Sequence, residues 1–175
     1  MKHLIIAAAA AFAMTAGSAQ AACHNGAHYK DGARHAVRLP AGVLAKAVPG
    51  TGNGSITGLW HVTHNVEGQL LFEAFEQWHS DGNEFEFANV PPAVGDVCMG
   101  TFTKIGPHTY LVYHIGWAFD ADGNSVGTFT LRSTLTTSHH GTRISGPFEI
   151  KDYDVDGNQL DDINGTTEGE RITLE

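Results

Sequence analysis

The chain has 175 residues, is 42% apolar, and carries 10 Lys and Arg against 19 Asp and Glu. A single domain of this size with an ordinary apolar share can bury a real core. A net charge of −9 disfavours nucleic acid and anionic membrane surfaces as partners, and beyond residue 21 no run is long enough to span a bilayer.

Residues 1–21 have the layout of a secretory signal peptide. Lys2 and His3 precede an apolar run from Leu4 to Met14, and small residues end in Ala19-Gln20-Ala21, an Ala-x-Ala cleavage pattern. The apolar run is too short for a membrane anchor, and Gln20 stands where a lipidation signal ahead of Cys23 would place Leu. The expected location is therefore secreted or periplasmic. Removing Lys2 leaves nine basic and nineteen acidic residues, a mature charge of −10 with His neutral. Cys23 and Cys98 are the only cysteines, and an oxidising compartment favours a disulfide between them. It would tie the N-terminal arm to the rest and contribute about 4 kcal/mol in the chain-entropy account.

From 22 to 56 the pattern is weak, broken by six glycines and by Pro40 and Pro49, and it reads as an arm or lid rather than a second domain. His24, His28 and His35 lie here. With cleavage after Ala21, His24 is third from a free amine, a spacing that suits square-planar Cu(II) or Ni(II); a solvated His-rich tail is the plainer reading.

Regularity begins after Ile56. Eight runs rich in aromatic and β-branched residues, at roughly 58–66, 70–79, 84–89, 97–105, 109–119, 125–137, 143–153 and 165–174, alternate with short turns such as Asp81-Gly82-Asn83 and Asp122-Gly123-Asn124. Seven short connections force antiparallel neighbours, because parallel crossovers need a dozen residues or more. Eight such strands close into an up-and-down barrel over 57–175, an all-β fold without exposed edges whose interior holds one small ligand. Asp152 to Gly157 resembles a calcium loop. Ile163 stands where the twelfth-position Glu is needed, and Asp-Gly also marks a hairpin, so the turn reading is preferred.

Gly58-Leu59-Trp60 on the first of these strands and Glu170-Arg171-Ile172 on the last are the pair of markers that close small eight-stranded barrels. In this pair the chain resembles the calycins, the lipocalin-like barrels, from Thr57 to Glu175. The resemblance implies an indole corking one end beneath a stacked guanidinium, a contact of about 0.5–2 kcal/mol. Some calycins carry haem, but nothing here singles out a haem ligand, and no cofactor or metal is expected.

Run 109–119 carries Leu111, Tyr113, Ile115, Trp117 and Phe119 on one face and Tyr110, Val112, His114, Gly116 and Ala118 on the other. A two-residue Asp122-Gly123 turn puts His114 on a face with Leu131; a three-residue loop puts Tyr113 opposite Leu131 and Ile115 opposite Phe129. One residue of slip swaps the faces. The second register gathers the large apolar groups, each worth roughly 1.5–3 kcal/mol on burial, and is preferred, with His114 and Arg132 facing outward.

The leading expectation is a protein that binds a small apolar or aromatic molecule against Trp60, Leu111, Tyr113, Ile115, Trp117, Phe129 and Leu131. The first register supports a competing class, a cofactor-free isomerase, cyclase or lyase. In it His64, which faces inward whenever Trp60 does, and His114 serve as acid and base and Arg132 as anion clamp. His61 and His64, three apart on a strand, face opposite ways and cannot share an ion. No Gly-x-Ser-x-Gly hydrolase pattern is present.

Overall fold

The structure is a computed structural model that describes residues 20–21, 54–91, 96–120 and 122–174. Its strands are β1 (Gln20–Ala21), β2 (Gly58–Val66), β3 (Gln69–Trp78), β4 (Asn83–Ala88), β5 (Val97–Lys104), β6 (Thr109–Phe119), β7 (Ser125–Thr137), β8 (Arg143–Asp154) and β9 (Gln159–Ile172). From β2 onward each strand pairs antiparallel with the next, and β9 returns to pair with β2. The result is the expected closed, eight-stranded, up-and-down barrel. The two residues of β1 pair with the end of β6, Gln20 opposite Phe119 and Ala21 opposite Ala118.

The seam is built as its markers predict. Trp60 lies opposite Arg171, is fully buried, and has the Arg171 guanidinium carbon 4.2 Å from its ring centroid. The indole Nε1–H donates to the Ile56 carbonyl at 2.7 Å. Arg171 donates to the carbonyls of Ser55, Thr57 and Gly141, so one cation satisfies three otherwise orphaned acceptors at the barrel end. The Gly54 carbonyl accepts from Tyr110 Oη and Thr137 Oγ1, which draws Gly54–Ile56 across this end with Ile56 fully buried. Of the expected arm only these three residues are described; residues 22–53, with His24, His28 and His35, lie outside the described residues. Gly58 has φ 137°, and a Cβ there would meet the guanidinium, so the glycine of the Gly-x-Trp marker makes room for the arginine.

Two elements differ from the expectation. β9 begins at Gln159, within the stretch read as a break, because Asp154 folds the chain back at once. Its carboxylate accepts from the backbone N–H of Asp156 and Asn158, and Gly157 supplies φ 81°. Asp120 caps the β6–β7 turn in the same way through Asp122 and Asn124, which makes both Asp-x-Asp-Gly-Asn segments hairpin turns.

The second difference is the β6–β7 register. Beside the turn Phe119 pairs with Ser125, as in the preferred three-residue loop. A bulge then shifts the ladder by one, so that Ala118 faces Gly127, Gly116 faces Phe129 and His114 faces Leu131. Gly127, at φ 154°, lets the bulged strand lie against the Tyr153 carbonyl, where any Cβ would collide. The preferred inward face of β6 is therefore corrected: Tyr110, Val112, His114 and Ala118 are buried.

Arg171→Ala should lower unfolding free energy by at least about 3 kcal/mol, since hydrogen bonds to a charged donor contribute about 1.5–3 kcal/mol each. Arg171→Lys should recover only part of it, for an ammonium lacks the planar fork. Urea denaturation measures both; a loss below about 1 kcal/mol for the Ala variant would mean the seam does not hold the barrel.

Candidate functional site

The bulge has a direct consequence for the interior. The expected ligand-lining residues Tyr113, Ile115 and Trp117 stand on the outer wall, 44%, 49% and 65% exposed, and half-buried Leu111 shares that face. Trp60, Phe129 and Leu131 are inside as expected. An apolar pocket built on all seven is thereby corrected. Arg132 is exposed and opposite Tyr113, on the far side of the wall from His114, so it cannot clamp an anion in the lumen. His64 and His114 both point inward at 1% exposure.

Those two imidazoles meet three carboxylates that the sequence reading did not single out: Glu76 on β3 and Glu84 and Glu86 on β4, all at 1% exposure or less. Strand pairing explains the convergence. Glu76 is directly opposite Glu86, Glu84 is opposite Gly100, and Gly100 is opposite His114. Gly100 leaves the space the pair needs, because a Cβ there would strike both the His114 ring and the Glu84 carboxylate. Gly116 plays the same part for the Phe129 ring. The signal for the acids was present in Glu84-Phe85-Glu86-Phe87, a strict period of two, but it runs against the ordinary burial rule. Here the acids face in, and Phe85 and Phe87 are 45% and 54% exposed.

The geometry falls into two halves joined at Glu86. On one side His114 Nε2 is 2.7 Å from Glu84 Oε2, an ion-pair contact outside hydrogen-bond angles, and His114 Nδ1 is 3.7 Å from Glu86 Oε2. On the other side His64 Nε2 is 3.6 Å from Glu86 Oε2 and 3.7 Å from Glu76 Oε1. The His64 ring stacks on Phe72 at 4.3 Å and meets the edge of Phe148 at 5.2 Å. Its Nδ1 bonds Thr167 Oγ1 at 3.0 Å, and Trp78 Nε1–H donates to Glu76 Oε2 at 2.8 Å.

Burial works against charge on His114, but Glu84, Glu86 and Glu76 together outweigh it and hold its pKa at about 10. Burial raises Glu84 to about 7 against the pull of His114. His64 is raised: burial opposes its charge, and the facing Glu76 and Glu86 prevail. Glu76 is lowered, its burial being outweighed by His64, His114 and the Trp78 donor.

Cys98 is buried on β5 and is not a free thiol; the expected bridge falls on Cys23, outside the described residues. His61 is on the outer wall, opposite in sense to His64 as expected, 2.9 Å from Glu73. Pockets of ≈380 and ≈150 Å³ also lie on that wall, the first beside Thr63 and Glu168 and the second beside Phe75 and Phe87, and neither touches the cluster. Compared with protein-family models, curated proteins and solved structures, the chain matches none.

A pH dependence follows. The contribution of His114 is fully present below its unfolded value near 6.5 and is lost as pH rises through about 10; that of Glu84 is present below about 4.5 and is lost through about 7. Thermal melting in chelator should therefore fall steadily from pH 6 to 10, and His114→Gln should flatten the upper part of that slope. A melting temperature that rises over this range would contradict the assignment.

Proposed function

We propose that the protein is an exported, calycin-like binding barrel whose ligand is a small cation or cationic group held in the lumen by Glu76, Glu84 and Glu86 together with His64 and His114. One observation carries this reading: five ionisable side chains converge in the interior, and their nearest polar partners are chiefly one another. With both histidines charged, the three carboxylates leave an excess negative charge once Glu84, raised to about 7, gives up its proton, and a buried charge without a counter-ion is heavily disfavoured. An apolar ligand would leave that imbalance untouched. Export is supported by the Lys2-to-Ala21 pattern and by the cysteine pair, which suits an oxidising compartment.

A second reading has a specific observation in its favour. Glu84, raised to about 7, can take up and release a proton at the pH where an isomerase, cyclase or lyase would work, with the charged His114 2.7 Å away. In that reading Glu84 carries the proton and His114 holds it in place.

Native mass spectrometry of the purified full chain separates these. The binding reading expects a cationic added mass, or one restored by adding small cations, that disappears in Glu84→Gln/Glu86→Gln while the fold is kept. A neutral organic mass retained in that variant would overturn it. Retention of the mass in Glu84→Gln alone, with loss of its chemical conversion, would favour the acid–base reading.

A further inference from the structure

The two halves of the cluster are not alike. The His114 half is a contact pair, whereas in the His64 half the imidazole Nε2 stops short of both carboxylates it faces. His64 Nε2 lies 3.6 Å from Glu86 Oε2 and 3.7 Å from Glu76 Oε1, beyond the reach of an N–H···O bond. His64 Nε2 and both Glu86 oxygens have no hydrogen-bond partner although both side chains are 1% exposed or less. Buried polar atoms are almost always bonded; His114 and Glu84 lack hydrogen bonds too but touch each other at 2.7 Å, whereas His64 Nε2 and Glu86 Oε2 stop 3.6 Å apart and call for a missing partner.

The separations identify it. Two ligand atoms each about 2.0–2.1 Å from a zinc-like ion, at the tetrahedral angle, stand about 3.4 Å apart. One ligand atom from each of His64, Glu76 and Glu86 falls within 4.8 Å of the others. The supporting bonds also point the right way. Thr167 Oγ1 engages His64 Nδ1, which leaves Nε2 free to ligate. Trp78 Nε1–H occupies Glu76 Oε2, which leaves Oε1 facing inward. Such outer contacts fix the tautomer and orientation of metal ligands.

We infer that the lumen contains a site for one divalent transition-metal ion, with His64 Nε2, Glu76 Oε1 and a Glu86 carboxylate oxygen as its protein ligands. This rests on the luminal-cation reading and names the cation. Two carboxylates neutralise a divalent charge where solvent cannot. One imidazole with two carboxylates suits zinc, iron(II), manganese or cobalt; magnesium and calcium prefer sites made of six or more oxygens. Three protein ligands leave a fourth position open. The His114–Glu84 pair, reaching Glu86 through His114 Nδ1 at 3.7 Å, borders the site without belonging to it.

The test uses the full chain, stripped with chelator and titrated with Zn(II) and with Co(II), read by calorimetry, native mass and cobalt absorption. One ion should bind with a low-symmetry cobalt spectrum. His64→Gln and Glu86→Gln should each weaken binding at least about 100-fold, and Thr167→Val, which removes no ligand, should weaken it about 10- to 100-fold. His24→Ala/His28→Ala should leave this ion in place, which separates the lumen from the N-terminal histidines. Melting curves of each variant without metal establish that the fold survives. Equal affinity in wild type and His64→Gln/Glu86→Gln, or loss of the ion in the His24/His28 variant, overturns the site. If neither metal binds but methylammonium binds and is lost in Glu86→Gln, the metal is wrong and the luminal-cation reading stands. If neither metal nor methylammonium binds, both fall.

Discussion

Closure fixes the parity of every strand. Trp60 must face inward to sit beneath Arg171, and in a closed antiparallel ladder that one choice propagates from strand to strand around the ring. On β2 it carries His64 inward, two alternations on. Through the β2–β3 pairing it turns Glu76 and Trp78 inward, through β3–β4 Glu86 and Glu84, and through β5 Gly100, opposite His114. The chemistry of the interior is thus set by a structural contact at the end of the barrel. No strand can exchange its faces alone, because its two neighbours hold it.

Where the chain obeys period-two rules its sequence was legible: the strand spans, the hairpin turns at Asp-Gly, the Gly-x-Trp and Arg seam and the inward His64 all follow from local pattern. Two things were not. The single extra residue in β7 near Val126 is a bulge, and nothing in Ser125-Val126-Gly127 distinguishes a bulged Val from a paired one; the collision that demands Gly127 comes from Tyr153, on a strand formed later in the chain. Maximal apolar burial then selected the wrong face of β6. The glutamates were missed for a related reason: they obey alternation but reverse its usual sense, and a rule that places acids outside reads the strand backwards.

That reversal bears on function. On β4 alone the barrel buries Glu84 and Glu86 and exposes Phe85 and Phe87, although each large apolar group returned to the interior would contribute roughly 1.5–3 kcal/mol. The outer wall of β3 to β6 continues the pattern with Phe75, Met99, Ile115 and Trp117, whereas Arg132, Thr134, Ser145 and Glu168 make the wall of β7 to β9 polar. A sequence shaped only for stability would shift by one residue. Keeping acids inside against that gradient is the mark of a site, since buried charge is tolerated where it does something burial of a hydrophobe would not.

The interior also limits what the site can hold. Trp60, Phe72, Trp78, Phe129, Leu131 and Phe148 fill the space around the cluster, and glycines at 100 and 116 are needed merely to admit the His114 ring and the Phe129 ring. Lipocalin-like barrels that carry large apolar molecules need inward side chains that stand back from the axis. Within the cluster the gaps are interatomic: 3.6 and 3.7 Å between imidazole and carboxylate, too long for a hydrogen bond and close to the edge of a metal's coordination polyhedron. Five ionisable groups set among these rings make the interior a poor match for the hydrophobic cargo that its fold first suggests.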